Sequence, residues 1–167
     1  MPEKVKFDID GSDAVSKVLK DLLNQFPGLS AGDKVVEFSV LKDNAGIGFF
    51  PTNGAVLQKN TEDVTGHVTQ VCLYPFSVVY RAAPRSETQR MRIKEFLDAL
   101  GRWLERQPVT LGGKTYQLST YPALTSGNRI IKTISRTSPA YLHSSYQGGV
   151  EDWLITLRLD YTNEFDI

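Results

Sequence analysis

The sequence predicts an α+β fold in which two helices pack on one face of an antiparallel or mixed β-sheet. Two segments repeat apolar residues at the spacing of one helix face, and two others alternate apolar and polar residues as half-buried strands do. The helical segments also stand apart from the clustered strands. With 167 residues, 41% of them hydrophobic, the chain is expected to form a single domain over residues 1–167.

The composition narrows the classes of function. The chain has 19 basic and 19 acidic residues, and this balance argues against direct sequence-specific nucleic-acid binding, which normally requires a basic excess. No apolar run approaches the roughly 20 residues of a membrane span. The lone cysteine, Cys72, excludes an internal disulfide and is typical of a reducing cytoplasm.

The first predicted helix covers residues 12–26. Ser12 or Asp13 is the candidate N-cap, and Pro27 and Gly28 are expected to end the helix. Its apolar residues keep helical spacing: Val15, Val18, Leu19, Leu22, Leu23 and Phe26.

Residues 33–54 are predicted to form short strands around a turn, because β-branched and aromatic residues are interrupted there by turn formers. Residues 66–82 are predicted to form one long strand. Its apolar face comprises Val68, Cys72, Tyr74, Phe76, Val78 and Tyr80. Because Pro75 cannot donate a hydrogen bond to a neighbouring strand, this strand is expected at a sheet edge, or bulged, and protected there from unwanted pairing.

The second predicted helix covers residues 86–107. Ser86 and Gln89 have the spacing of a capping box, Pro108 follows the last turn, and Asp98 and Arg102 are spaced for an ion pair. A single apolar stripe predicts that this helix covers the sheet. The stripe comprises Ile93, Phe96, Leu97, Leu100, Trp103 and Leu104.

The last third of the chain is predicted to be mainly β-structure. Gly112 and Gly113 lie between two short β-prone runs, which favours a hairpin, and residues 128–135 are typical of a strand. Residues 136–150 are interpreted as a polar loop containing aromatic residues. In the final strand, residues 152–161, Trp153 is expected on the covered face and Asp152 on the solvent face.

The sequence offers no convincing catalytic, cofactor or metal site. His67 and His143 are not spaced as metal ligands, and Cys72 falls on an apolar strand face, where a thiol behaves as a small hydrophobic group. The stretch GGKT at 112–115 lacks the preceding glycine and the following helix of a phosphate-binding loop. We therefore expect a protein without enzymatic activity or a cofactor.

The order of these segments resembles a known family. The relevant stretches are FPGLSAGDKVVEFSVL, FFPTNG, EDVTGHVTQVCLYPFSVVYRA, FLDALGRWLERQ, LGGKTYQL and WLITLRLDY. Across residues 13–162, they resemble the minor capsid or tail-terminator (tail-completion, head–tail joining) proteins of phages and prophages of Gram-positive bacteria.

The resemblance implies a ring subunit, typically of a hexamer, that caps the tail tube and joins it to the head, although the free protein could be monomeric. Its implied partners are other copies of itself, the tail tube protein and head–tail connector proteins. Its implied location is the head-proximal end of the tail in the virion, after assembly in the host cytoplasm. The candidate assembly residues are Tyr141, His143, Tyr146, Phe49, Phe50, Arg85 and Arg92.

Two other interpretations remain open. One is a head-closure or connector adaptor, which differs from a tail terminator in its partner more than in its chemistry. The other is a small enzyme or ligand-binding module, which would need a deep pocket with a histidine near a carboxylate at its edge.

Overall fold

The computed structural model describes residues 6–29, 36–41, 43–124 and 128–167. These ranges contain two α-helices, nine β-strands and one turn of 3₁₀-helix at Gln147–Gly149. In chain order, the elements are α1 Ile9–Leu23, β1 Val36–Phe38, β2 Gly46–Pro51, β3 Val56–Glu62, β4 His67–Ala82, α2 Glu87–Leu104, β5 Val109–Leu111, β6 Lys114–Tyr116, β7 Arg129–Arg136, β8 Tyr141–Ser145 and β9 Glu151–Asp166.

The centre of the sheet is an antiparallel pair of two 16-residue strands, β4 and β9. They pair along their whole length, from His67 opposite Asp166 to Ala82 opposite Glu151. Strands β2 and β3 follow one another along the outer side of β4, and β7 and β8 do the same along β9. Strand β1 extends the sheet beyond β2 in parallel, whereas the other pairs are antiparallel. The predicted α+β fold with a mixed sheet and two helices is therefore confirmed.

Both helices cover the same face of the sheet. The ring of Phe26, just after α1, contacts Phe96 and Trp103 of α2, and Phe96 also stacks edge-on against Tyr80 of β4. Gly101 lets α2 approach closely, because a Cβ atom there would lie 2.6 Å from Arg136 Cδ and 2.9 Å from Ile155 Cδ1. The helices and the covered sheet face form one hydrophobic core.

Helix α1 begins and ends three residues earlier than the sequence predicts. Its N-cap is Asp8, whose carboxylate accepts a 3.1 Å hydrogen bond from Gly11 N, and not Ser12 or Asp13. The same carboxylate binds Arg129 of β7 and the Tyr161 hydroxyl of β9. A local sequence pattern cannot reveal this choice of cap, because the partners that fix it lie more than 120 residues away.

Helix α2 closely matches its prediction. The Ser86 side chain accepts a hydrogen bond from Gln89 N, and most of the apolar stripe is buried. Gln89 Oε1 accepts from Arg85 N, one residue before the expected capping-box donor. The predicted pairing of Asp98 with Arg102 is wrong in register, since Asp98 pairs with Lys94 at 2.6 Å and also accepts a hydrogen bond from Ala140 N.

The prediction that Pro75 places β4 at an edge, or in a bulge, is wrong, because β4 has strands on both sides and its register with β9 is unbroken at Pro75. Residue 75 directs its backbone toward the gap between β2 and β3, where the carbonyl accepts a 2.9 Å hydrogen bond from Thr52 N. In an antiparallel strand the N–H and C=O of one residue point to the same side. The missing N–H therefore costs no ladder bond to β9, and the proline is tolerated in a central strand.

Three segments differ from the sequence prediction. The segment 136–150, predicted as a loop, contains β8 and the 3₁₀ turn, so residues 141–145 belong to the sheet. Strand β3 has no counterpart in the prediction, because its largely exposed, polar residues show no alternation. The segment 33–54, predicted as short strands around a turn, contains β1 and β2, which pair in parallel. Residues 33–35 and 42 of this segment lie outside the described residues.

The remaining elements agree more closely with expectation. Gly112 and Gly113 form the predicted β5–β6 hairpin turn, with positive φ angles of 58° and 81°. Trp103 is buried as predicted. Trp153 is only partly buried, because it lies near the end of the sheet that α2 leaves partly uncovered.

Candidate assembly surface

Strand β8 presents a row of large exposed side chains at the edge of the sheet. Tyr141 and Leu142 are 41% and 43% exposed, and the rings of Tyr141 and His143 approach each other with centroids 6.3 Å apart. Among the described strands, β8 pairs only with β9, so its second backbone edge carries no strand. Edge strands of monomeric proteins are commonly protected by charged residues or proline, and β8, with the sequence YLHSS, has neither.

The segment that follows β8 is fixed by a buried carboxylate. Asp152 lies on the sheet face opposite the helices, as predicted, but it is only 5% exposed and therefore buried instead of solvated. It accepts hydrogen bonds of 2.7 and 2.9 Å from the Arg81 guanidinium and one of 2.9 Å from the Tyr146 hydroxyl. The guanidinium also lies 5.3 Å from the centroid of the Tyr146 ring. The Arg81 hydrogen bonds are the largest influence on the pKa of Asp152 and hold it below its ordinary value.

The neighbouring carboxylate, Glu151, performs the equivalent role on the other face of the sheet. Its oxygens lie 3.1 Å from Nε of Arg90, which belongs to α2, and one of them accepts a 3.2 Å hydrogen bond from the Trp153 indole. Two successive residues of β9 thus attach the end of the sheet to β4 and to α2. This arrangement gives β8 a rigid support.

The face of the sheet opposite the helices is open and partly apolar. Its side chains follow from the strand registers, since paired residues share a face. Apolar residues on this face include Phe50, Val56, Val71, Leu73, Val79, Ile130, Leu154 and Tyr141. Both α-helices of the described chain lie on the other face, so these residues, except the buried Leu154, are at least partly exposed.

The structure divides the predicted assembly residues among several places. Tyr141, His143 and Tyr146 lie together on β8 and just after it, and Phe50 lies on the open face. Arg85 and Arg92 are exposed at the beginning of α2, on the helix-covered side. Phe49 is not a surface residue: it is fully buried, contacting the rings of Phe38 and Phe76, so its proposed interface role is corrected.

A shallow groove runs between the end of β4 and the first turns of α2. Its volume is about 360 Å³, near the lower end of the roughly 300–1,000 Å³ typical of ligand clefts. Its walls are mainly apolar, and Arg92 contributes the one charged group among the described residues that line it. These residues are Tyr80, Ala82, Ala83, Pro84, Gln89, Arg92, Ile93 and Phe96.

The reactive side chains lie apart from one another. Cys72 is fully buried on the helix-covered face, and burial raises the pKa of its thiol. His67 lies on the open face at the far end of β4, where its Nδ1 is 2.8 Å from Asp166 Oδ1. Within the described ranges, no cluster of three or more histidine, cysteine or acidic residues has the arrangement of a metal site.

No helix in the described part of the chain has the length and apolar character that crossing a membrane would require. Comparison of the sequence with models of known protein families, and with characterised proteins, finds no match.

Two groups of exposed residues were not anticipated from the sequence. Leu142 belongs to the β8 surface, and Val64, Phe165 and Ile167 are exposed at the other end of the central strand pair. Val64 lies in the turn between β3 and β4, and Leu142 lies in a segment predicted as a loop, so no alternation assigns either side chain to a face.

Proposed function

We propose that this protein is a structural subunit of a phage particle, a tail terminator that forms a ring on the end of the tail tube and joins it to the head. The observation that carries the proposal is the β8 surface, an unprotected edge strand with exposed aromatic and aliphatic side chains on a rigid support. Such a surface favours a protein partner, because an unprotected strand edge is a template for pairing with another chain.

The open sheet face supports the same proposal. It lies on the side opposite the helices, whereas the free backbone edge of β8 lies in the plane of the sheet, so the subunit has contact surfaces that point in different directions; Tyr141 belongs to both. A ring requires heterologous contacts, in which one patch meets a different patch of the neighbouring copy and the rotation closes. The resemblance of the segment order to tail-terminator proteins is the reason for proposing a ring on the tail tube in particular. The β8 surface is the candidate contact by which the subunit attaches.

The proposal is tested in a phage from which the gene for this protein is deleted. We expect overlong tails that are not joined to capsids, with normal tails restored when the protein is supplied in trans. The purified protein added to isolated tail tubes should form a ring at one end, visible by negative-stain electron microscopy. Tails of normal length that fail to join heads would instead indicate a head-closure adaptor. Tails of normal length on full capsids would exclude both roles.

A further inference from the structure

The end of the central strand pair farthest from β8 carries both acidic and apolar side chains. We call residues 62–67 and 164–167 the tip. Val64 is fully exposed and Ile167 is 81% exposed, and Phe165 is also on the surface. The charged and titratable residues of the tip are Glu62, Asp63, His67, Glu164 and Asp166. The tip therefore combines protruding aliphatic side chains with four carboxylates and one histidine.

The tip is held in one shape by its own hydrogen bonds. The carboxylate of Asp63 accepts hydrogen bonds from the backbone and hydroxyl of Thr65 and from His67 N. Ile167 N donates a 2.9 Å hydrogen bond to Gly66 O, which joins the end of β9 to the β3–β4 turn. Because its shape is fixed in advance, the tip would lose little conformational entropy on binding.

The groove at the beginning of α2 complements the tip in chemistry. Its walls are apolar, with the rings of Tyr80 and Phe96 and the small side chains of Ala82 and Ala83. Arg92 lines it, and Arg85 follows Pro84 at its edge. Neither arginine side chain forms an ion pair within the described ranges. An apolar groove flanked by two unpaired cations suits an apolar segment that carries carboxylates.

The tip and the groove lie at opposite ends of the same paired strands. The tip includes the His67–Asp166 pair, and the groove borders Ala82, which pairs with Glu151. Sixteen paired residues at about 3.3 Å each separate the two ends by about 50 Å. The tip of one copy therefore cannot reach the groove of the same copy.

From this complementarity we infer that the groove receives the tip of a second copy of this chain. In this contact, Val64 and Ile167 of one copy lie against the apolar walls, and the carboxylates of the tip face Arg85 and Arg92. The contact is head-to-tail, so repeating it gives a ring if the rotation closes. The inference rests on the proposed function in that it names the surfaces by which subunits of the ring meet.

Directed disulfide formation tests this contact, even if association is weak. Val64→Cys and Ala83→Cys variants, each with Cys72→Ala, are mixed at high concentration under mild oxidation. We expect a mixed disulfide dimer to form about tenfold faster than in the control pair, because specific docking raises the effective concentration of the two thiols. The control replaces Val64→Cys with Asp21→Cys, an exposed position on α1 outside the tip. Equal rates in the two pairs would overturn the inference.

Charge exchange provides a second and independent measurement. Arg92→Glu alone, and Glu62→Lys with Glu164→Lys, should each slow the Val64–Ala83 cross-linking about tenfold, whereas combining the two changes across the contact should restore it. Arg102→Glu, on the same helix but outside the groove, is the matched control. These substitutions spare the hydrogen bonds of Asp63 and the His67–Asp166 hydrogen bond, which hold the shape of the tip, and remove only the longer 3.8 Å contact between Glu164 and His67. Slowing by Arg102→Glu equal to that by Arg92→Glu would contradict the specific contact.

The two proposals can fail separately. If cross-linking is specific but deletion of the gene leaves tails normal, the head-to-tail contact is supported and the tail-terminator function is excluded. If tails become overlong but cross-linking equals the control, the terminator role stands and the groove does not bind the tip of another copy. Specific capture of the acidic segment of another virion protein in the groove, in place of the tip, would also overturn the inference.

Discussion

The guanidinium of Arg81 and the carboxylate of Asp152 form two hydrogen bonds, of 2.7 and 2.9 Å, between residues that face each other on β4 and β9. The Tyr146 hydroxyl donates to the same carboxylate, so one buried acid holds both central strands and the segment that follows β8. The β8 surface therefore depends on an ion pair that lies beneath it.

We predict that Asp152→Ala lowers the free energy of unfolding by about 3 kcal/mol, because removing one partner of a buried ion pair leaves the other charge uncompensated. Urea denaturation measures this change. The double variant with Arg81→Met should lose less than the sum of the two single losses. Lys94→Ala, which breaks the more exposed Lys94–Asp98 pair, is the control and should cost about 0.5 kcal/mol or less. Equal losses in Asp152→Ala and Lys94→Ala would show that the buried pair has no special role.

The tip should show a pH dependence that originates in His67. The hydrogen bond with Asp166 is the main reason that the pKa of His67 is raised above its ordinary value of 6.5, and the charges of Asp166, Glu164 and Asp63 add to it. Because the folded state favours the protonated form, this contribution to stability is full below pH 6.5 and is lost as the pH rises through the higher folded pKa.

Proton NMR titration of the His67 ring measures this effect. Asp166→Asn should move the His67 pKa back toward its ordinary value, whereas Asp21→Asn, at an exposed position on α1, should leave it unchanged. A His67 pKa that is the same in the native protein and in Asp166→Asn would show that the hydrogen bond does not set it.

The two tryptophans should differ in their contribution to stability. Trp103→Ala is expected to cost about 3–5 kcal/mol, as for large-to-small changes in a packed core. Trp153 keeps part of its ring in solvent, so Trp153→Ala is expected to cost only about 1–2 kcal/mol. Denaturant unfolding compares the two, and acrylamide should quench the fluorescence of Trp153 more strongly than that of Trp103. A larger loss for Trp153→Ala than for Trp103→Ala would contradict this prediction, because it would show that Trp153 makes the stronger contact with the core.

The β8 surface should be essential for attachment but not for folding. Tyr141→Asp and Leu142→Asp change exposed side chains, so their unfolding free energies should stay within about 0.5 kcal/mol of that of the native protein. Each should nevertheless abolish binding to isolated tail tubes in a co-sedimentation assay. Ile9→Asp alters an even more exposed apolar residue, on α1, and should bind normally. Normal binding by both β8 variants would remove this surface from the proposed interface.

Periodicity alone determined the two helices and the two long strands. The α2 stripe and the alternation in β4 and β9 repeat over 10 or more residues, and each repeat commits many side chains to one buried face. Local chemistry also predicted the Ser86 cap and the Gly112–Gly113 turn, because the groups that satisfy these backbones lie within a few residues.

Tertiary structure decided where these elements lie and which residues remain accessible. Pro75 sits in a central strand because the gap between β2 and β3 accommodates its missing N–H, and Asp8 caps α1 because Arg129 and Tyr161 hold it there. β8 forms because β9 is long enough to offer it a free edge. The separation of tip and groove likewise follows from the length of the β4–β9 pair. Each of these outcomes depends on partners that are distant in sequence, so the local pattern of residues cannot predict it.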